Sequence, residues 1–313
     1  MSSACAVKPR GLRQSMAELH TWAGLLCGWL LYAMFLTGTV SYFKDELSQW
    51  MRPELAHRQP PPDPARVAQR VAARLGTLAA HSAQWGITLP TARSNVASAF
   101  WRLPPGSPYA LHLGRFSDVQ LRWLYFLVSL GGTAMVGTGL VMWTVKRRQQ
   151  LADPRRPHVG LRLVERLNVA SIAGLSIAMT SYLWANRLLP EALARRQDAE
   201  VGVFFAAWGA TLLVAIARPA RRAWIELLWI AAGLLALLPV LNALTTDRPL
   251  WRSVADGDWV YAGFDLMMWA FAALHALLAI GTGRHRARPR PAGRAGGAAH
   301  VPPALPGRGE GRR

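Results

Sequence analysis

Six stretches of this chain are apolar for about twenty residues at a time: Leu19–Tyr42, Trp123–Val145, Leu167–Leu189, Val201–Ala217, Trp224–Leu244 and Val260–Ile280. About 20 apolar residues is the length a helix needs to cross roughly 30 Å of hydrocarbon. Inside lipid, the backbone must satisfy its own hydrogen bonds, which leaves helices and closed barrels as the spanning forms. The runs are too long for barrel strands, so the sequence predicts an all-α polytopic membrane protein with six transmembrane helices. Charged residues make up 17% of the chain, below the roughly 25% of a soluble domain, and they gather between the runs. Val201–Ala217 is the shortest span, and losing it would put the two termini on opposite sides. The first run exceeds a signal-peptide core and no small-residue cleavage site follows it, so it reads as an uncleaved anchor.

The formal charge of +19 raises the question of nucleic acid. Binding it would need the basic residues on one folded surface. Here they flank the spans instead. Lys8, Arg10 and Arg13 precede the first, and Lys146 to Arg148, Arg155, Arg156, Arg162 and Arg166 follow the second. Arg218, Arg221 and Arg222 follow the fourth, and eight arginines lie between Arg284 and Arg313. Short loops rich in Lys and Arg stay on the cytoplasmic side. Both termini are therefore expected in the cytoplasm, and the partner is the lipid bilayer rather than nucleic acid. The ten basic residues from Lys44 to Arg122 do not contradict this, because loops above about 60 residues translocate regardless of charge.

The expected organisation is a basic N-terminus over 1–18, a first helix over 19–43, an outside segment over 44–120, a five-helix block over 121–282 and a basic tail over 283–313. Within the outside segment, Asp63 is an N-cap candidate for a helix with apolar residues at helical spacing from Ala65 to Leu78. QWGITLP, ASAFWRLP and YALHLG then read as short strands. Such a unit of about 55 residues is marginal as an independent fold. The tail, rich in Pro, Gly, Ala and Arg, cannot build a core. Cys5 and Cys27 offer neither a disulfide framework nor a paired-cysteine metal site.

The first span, LHTWAGLLCGWLLYAMFLTGTVSYFKDEL, resembles the opening helix of the PepSY-associated transmembrane proteins. Leu19, His20, Trp22 and Gly24 match that family's Leu-His-x-Trp-x-Gly pattern, Thr37 and Gly38 its Thr-Gly pair, and Lys44, Asp45 and Glu46 its charged exit. Residues 64–114 resemble the first part of a PepSY domain, and the sequence from Leu121 resembles the C-terminal membrane part of longer members. Those longer members carry two further helices, with histidines proposed to bind haem, between these two parts. Here Leu113-Gly114 leads almost directly to Leu121-Arg122, so the chain resembles an internally shortened member. The resemblance implies a bacterial inner-membrane location, a role in iron uptake, and electron transfer through haem b to a ferric siderophore. A non-enzymatic accessory whose periplasmic segment binds a protein partner is the alternative.

Of the eight histidines, His20 and His275 fall within or beside spans. They are the candidate cofactor ligands, both toward the cytoplasmic face, with depths that differ by roughly 7–10 Å at 1.5 Å per residue. The plainer reading makes His20 an interfacial residue and His275 a partner of a neighbouring helix. Asp265 is the other ionisable group inside a span, expected to pair with Arg187 or Arg252, to be solvated at the interface, or to serve a proton or cation. Asn168, Asn186 and Asn242 are expected to cap or bond across helices. The Gly24/Gly28 pair and the second span's glycines are expected to permit close packing. The tryptophans are expected mostly to mark span ends. Nucleotide-binding and hydrolase signatures are absent from the sequence.

Overall fold

The computed structural model describes residues 12–52, 63–78, 82, 84–89, 98–102, 119–153 and 156–284. In chain order its elements are α1 (Leu12–Ser41), α2 (Lys44–Trp50), α3 (Pro64–Leu78), β1 (Gln84–Thr88), β2 (Ser98–Arg102), α4 (Val119–Gln149), α5 (Val159–Leu188), α6 (Arg196–Ala217), α7 (Ala220–Thr245), α8 (Leu250–Ala255) and α9 (Trp259–Arg284). Six helices, α1, α4, α5, α6, α7 and α9, are long and apolar enough to cross a membrane. They fall on the six apolar runs. Most extend beyond them, because a helix continues its own hydrogen bonding past the hydrocarbon edge through residues such as Lys146–Arg148 and Arg162–Arg166.

The two short helices α2 and α8 were not expected from hydropathy. Each lies at the face where α1 ends, here termed the exit face. Seven residues are too few to show an apolar period, so only the packing of Trp50 marks α2 as part of the bundle.

Half of the apolar window of α5 and of α7 is buried, against 17–22% for the other four long helices. These two therefore form the centre. One core cluster joins α5, α6, α7 and α9 through small residues such as Ala173, Ala215, Ala231 and Ala279. A second joins α1, α4 and α5 around Leu25, Tyr32, Leu140 and Leu175. The third sits under α2, where Trp50 meets Leu238, Leu241 and Tyr261.

Within lipid there is no hydrophobic force to press one apolar helix on another, so close packing and hydrogen bonds hold the helices together. Gly28 lies against Leu140, Gly132 against Phe35 and Gly137 against Tyr32, which lets α1 approach α4 closely. Gly24, Gly131 and Gly139 have open space instead, so only part of the expected glycine face packs inside the chain. On the other side of the bundle, a Cβ on Gly174 would overlap the Thr211 side chain, which fixes the α5–α6 crossing.

Tryptophan does more than mark span ends. Trp29 Nε1 donates to Asn168 Oδ1 at 2.8 Å, and Asn168 Nδ2 donates to the Leu140 carbonyl at 2.9 Å, tying α1, α4 and α5 together. Trp208 Nε1 donates to the Ala170 carbonyl at 2.9 Å. Pro239 interrupts α7 and has no N–H for the Leu235 carbonyl. Trp184 and Trp269 donate to the carbonyls on either side of that gap, Leu234 at 3.1 Å and Ala236 at 3.2 Å.

Between α2 and α4 the described part is small. Asp63 Oδ1 accepts from the backbone of Ala65 and Arg66, capping α3. β1 and β2 pair antiparallel with Gly86 opposite Phe100, and α3 lies against β1. The expected strand at 109–114, the N-terminal residues 1–11 and the tail beyond Arg284 lie outside the described residues.

Gly174→Ala should lower the unfolding temperature in detergent by an amount equivalent to about 1–3 kcal/mol of overpacking. Gly24→Ala should be neutral or slightly stabilising, because its Cβ has room and alanine favours helix. Equal effects at the two positions would contradict this packing.

Candidate functional site

Where α1, α2, α4, α5 and α9 converge, they leave a cavity of about 520 Å³. Its walls are mostly apolar and aromatic, with the thioethers of Met179, Met267 and Met268 among them. Toward the exit face it is lined by Phe43 and Glu46 of the α1–α2 corner, Arg122 and Trp123 of α4, and Trp259 of α9. The deep end reaches Ser176 on α5 and His275 on α9.

His275 is the chemically distinctive group. Its Nδ1 lies 2.8 Å from the Phe271 carbonyl. A carbonyl can only accept, so Nδ1 carries the proton, and in the neutral ring the lone pair is then on Nε2. Nε2 makes no hydrogen bond among the described residues, and the ring lines the cavity. A histidine whose other nitrogen is anchored to a backbone carbonyl is the arrangement that orients a metal-ligating imidazole. Hydropathy placed His275 about a turn and a half from the end of its helix. α9 in fact continues to Arg284, so the residue sits about 14 Å in at 1.5 Å per residue.

His20 is elsewhere. It is exposed on α1 and is not among the cavity-lining residues, so the two candidate histidines do not share this site. His158 caps α5, accepting from the Leu161 backbone N–H at 3.1 Å. His81 and His112 lie outside the described residues.

Toward the exit face, Arg122 and Glu46 form an ion pair at 2.8 Å, with 29% and 27% of their side chains exposed. The Arg122 guanidinium also lies over the Phe43 ring, 5.3 Å from its centroid. Sequence reading gave these residues only the role of flanking charges. The usable signal was an acid one turn after the first span and a base at the start of the second, which any antiparallel packing of the two helices brings to one end.

Asp265 does not line the cavity. It is fully buried on the opposite side of α9, where its Oδ2 accepts from Asn242 Nδ2 at 3.1 Å. Asn242 Oδ1 in turn accepts from Arg187 at 3.3 Å. Arg187 also donates to the Trp50 carbonyl and stacks on the Trp50 ring at 4.1 Å, while Trp50 stacks on Phe264 at 4.2 Å. The Arg187 alternative for Asp265 is thus the one realised, through Asn242; Arg252 lies against Asp256 instead. This polar chain locks α2 onto α5, α7 and α9. A second buried cluster, Asn186 and Arg196 around Glu200, closes α5 on α6.

Six membrane-crossing helices around an apolar cavity define the class: a polytopic α-helical membrane protein. The family model of the PepSY-associated TM region matches residues 17–107 and 106–146, so this N-terminal part of the chain is similar to that family. The match covers α1 to α4 and stops ahead of α5, so His275 and Asp265 lie outside it. No curated protein and no solved structure matches the chain.

Removing one partner of a buried charged network leaves the others uncompensated, at a cost of about 3–5 kcal/mol. Asp265→Leu should therefore lower the detergent unfolding temperature sharply. Asp265→Asn, which keeps a partner for Asn242, should lower it much less. Indistinguishable unfolding of wild type and Asp265→Leu would show that the network does not hold α9.

Proposed function

We propose that this chain is a bacterial inner-membrane protein of iron uptake, with both termini in the cytoplasm, whose cavity takes up haem b through Nε2 of His275. In this reading residues 44–120 form a PepSY-like periplasmic segment, 121–282 the five-helix block and 283–313 a cytoplasmic tail. The observation that carries it is the free Nε2 of a neutral imidazole inside an apolar cavity. The residues fit the group in three respects. The walls are mostly apolar, the imidazole is in the ligating tautomer, and thioethers able to complete a His/Met pair line the same space. When bound, haem supplies one-electron chemistry, and the family resemblance directs it toward ferric siderophores. The chain's own part is to hold the ring nitrogen in place through Phe271 and to surround the group with mostly apolar walls.

One observation favours a second reading. Among the described histidines, His275 is the one that lines the cavity, and a single centre does not bridge a core of roughly 30 Å. A non-enzymatic accessory protein, binding a protein partner through its periplasmic segment, would keep the same fold without passing electrons.

The two readings differ in colour. Protein purified in detergent from haem-sufficient cells should show a Soret band and reduced α and β bands, lost in His275→Ala and retained in His20→Ala. A colourless wild-type protein would rule out the haem reading in favour of the accessory one. A band that survives His275→Ala would place the ligand elsewhere. For orientation, alkaline phosphatase fused after Ala68 should be active and fused after Arg222 inactive. The reverse pattern would invert the topology.

A further inference from the structure

Glu46 stands in the first turn of α2 and Arg122 in the first turn of α4, so both lie at the exit face. Both line the cavity, and their contact is incomplete. One arm of the guanidinium, Nη2, meets Glu46 Oε1 at 2.8 Å, while Arg122 Nε and Glu46 Oε2 are buried with no hydrogen-bond partner. Leaving a buried donor and a buried acceptor unmatched costs free energy, so the pair marks a place for a group that supplies the missing partners. The two atoms belong to opposite charges. The group that completes them best carries a negative acceptor for Arg122 and a positive donor for Glu46.

The surrounding helices show where such a group comes from. α9 packs along α7 and beneath α2 and α8, and among the described residues no sustained contact joins it to α1 or α4. On that side the cavity is bounded by a seam rather than by packed helices. Trp123 of α4 and Trp259 of α9 line the cavity and are nonetheless 41% and 67% exposed, so they flank an open edge. In a membrane that edge faces hydrocarbon, with the indoles at headgroup level. Gly263, on the α9 wall, has open space where a side chain would begin. An apolar slot open to hydrocarbon takes a lipid chain, and a phosphoethanolamine head supplies a phosphate for Arg122 and an ammonium for Glu46. We infer that the exit end of the cavity is a binding site for phosphatidylethanolamine, with one acyl chain entering between α4 and α9 and the zwitterionic head bridging Arg122 and Glu46. A chain that spans one leaflet, about 15 Å or half of the hydrocarbon core, ends short of His275, which lies about 24 Å along α9 at 1.5 Å per residue. The lipid site is therefore separate from the imidazole end, and it stands or falls without the haem reading.

The full chain, equilibrated in nanodiscs with equal parts phosphatidylethanolamine and phosphatidylglycerol and then released into detergent, should retain the former in preference, read by native mass spectrometry. Glu46→Gln keeps the shape of the side chain but not its charge. It should lower retention of phosphatidylethanolamine several-fold and raise that of phosphatidylglycerol, whose phosphate still meets Arg122. Arg122→Gln should weaken retention of both lipids roughly tenfold, the loss of a charge-assisted contact. Gly263→Leu, which fills the chain slot away from the ion pair, should weaken both and leave the preference unchanged. Glycerophosphoethanolamine, the same head without chains, should not displace the bound lipid. The preference is a ratio read within one sample, so a variant that folds less well still reports it. No retained lipid in wild type, equal retention of the two lipids, or an unchanged preference in Glu46→Gln would overturn the site. Displacement by the chainless head would also overturn it, by making the pair an aqueous phosphate site. None of these readouts depends on a Soret band.

Discussion

The polar side chains of α5 hold the rest of the bundle in place. In hydrocarbon an apolar face gains nothing by leaving lipid for another apolar face, so position must come from close packing and from hydrogen bonds with nowhere else to go. Asn168 draws in α1 and α4, the Ala170 carbonyl takes Trp208 of α6, and Trp184 reaches the loosened turn of α7. Asn186 grips Glu200, and Arg187 holds both α2 and Asn242. Every other long helix except α9 is tied directly to α5, and α9 is reached through Asn242 and Asp265. The cavity exists because α1 and α4 meet α5 on one side while α9 stays with α7 on the other.

The six spans were legible because hydrocarbon thickness imposes a length that nothing in a soluble protein imitates. The cap of α3 was legible too, since Asp63 precedes a helical apolar period. The asparagines near the span ends were expected to bond across helices, and Asn168, Asn186 and Asn242 do. What hydropathy does not carry is direction around a helix. His20 and His275 were both candidate ligands in the sequence, yet one is exposed and the other lines the cavity. The same loss hid the role of Trp50. A tryptophan just past a span reads as an interfacial anchor, and here it is fully buried between Arg187 and Phe264.

The family match and the cavity chemistry divide the chain between them. Residues 17–146 match the PepSY-associated model, in two stretches that overlap at 106–107. That junction is close to the point where the sequence resembles a longer protein with a part removed. His275 belongs to the unmatched remainder, while Glu46 and Arg122 belong to the matched part. The cavity is therefore a joint product of both portions.

The number of histidine nitrogens on the iron tests the haem reading most directly. Protein grown with ¹⁵N-histidine, loaded with haem and studied by pulsed electron paramagnetic resonance should show one histidine nitrogen coupled to low-spin ferric iron. Two histidine nitrogens would contradict the single-ligand site built around His275. Haem-loaded samples with no histidine coupling at all would contradict the site altogether.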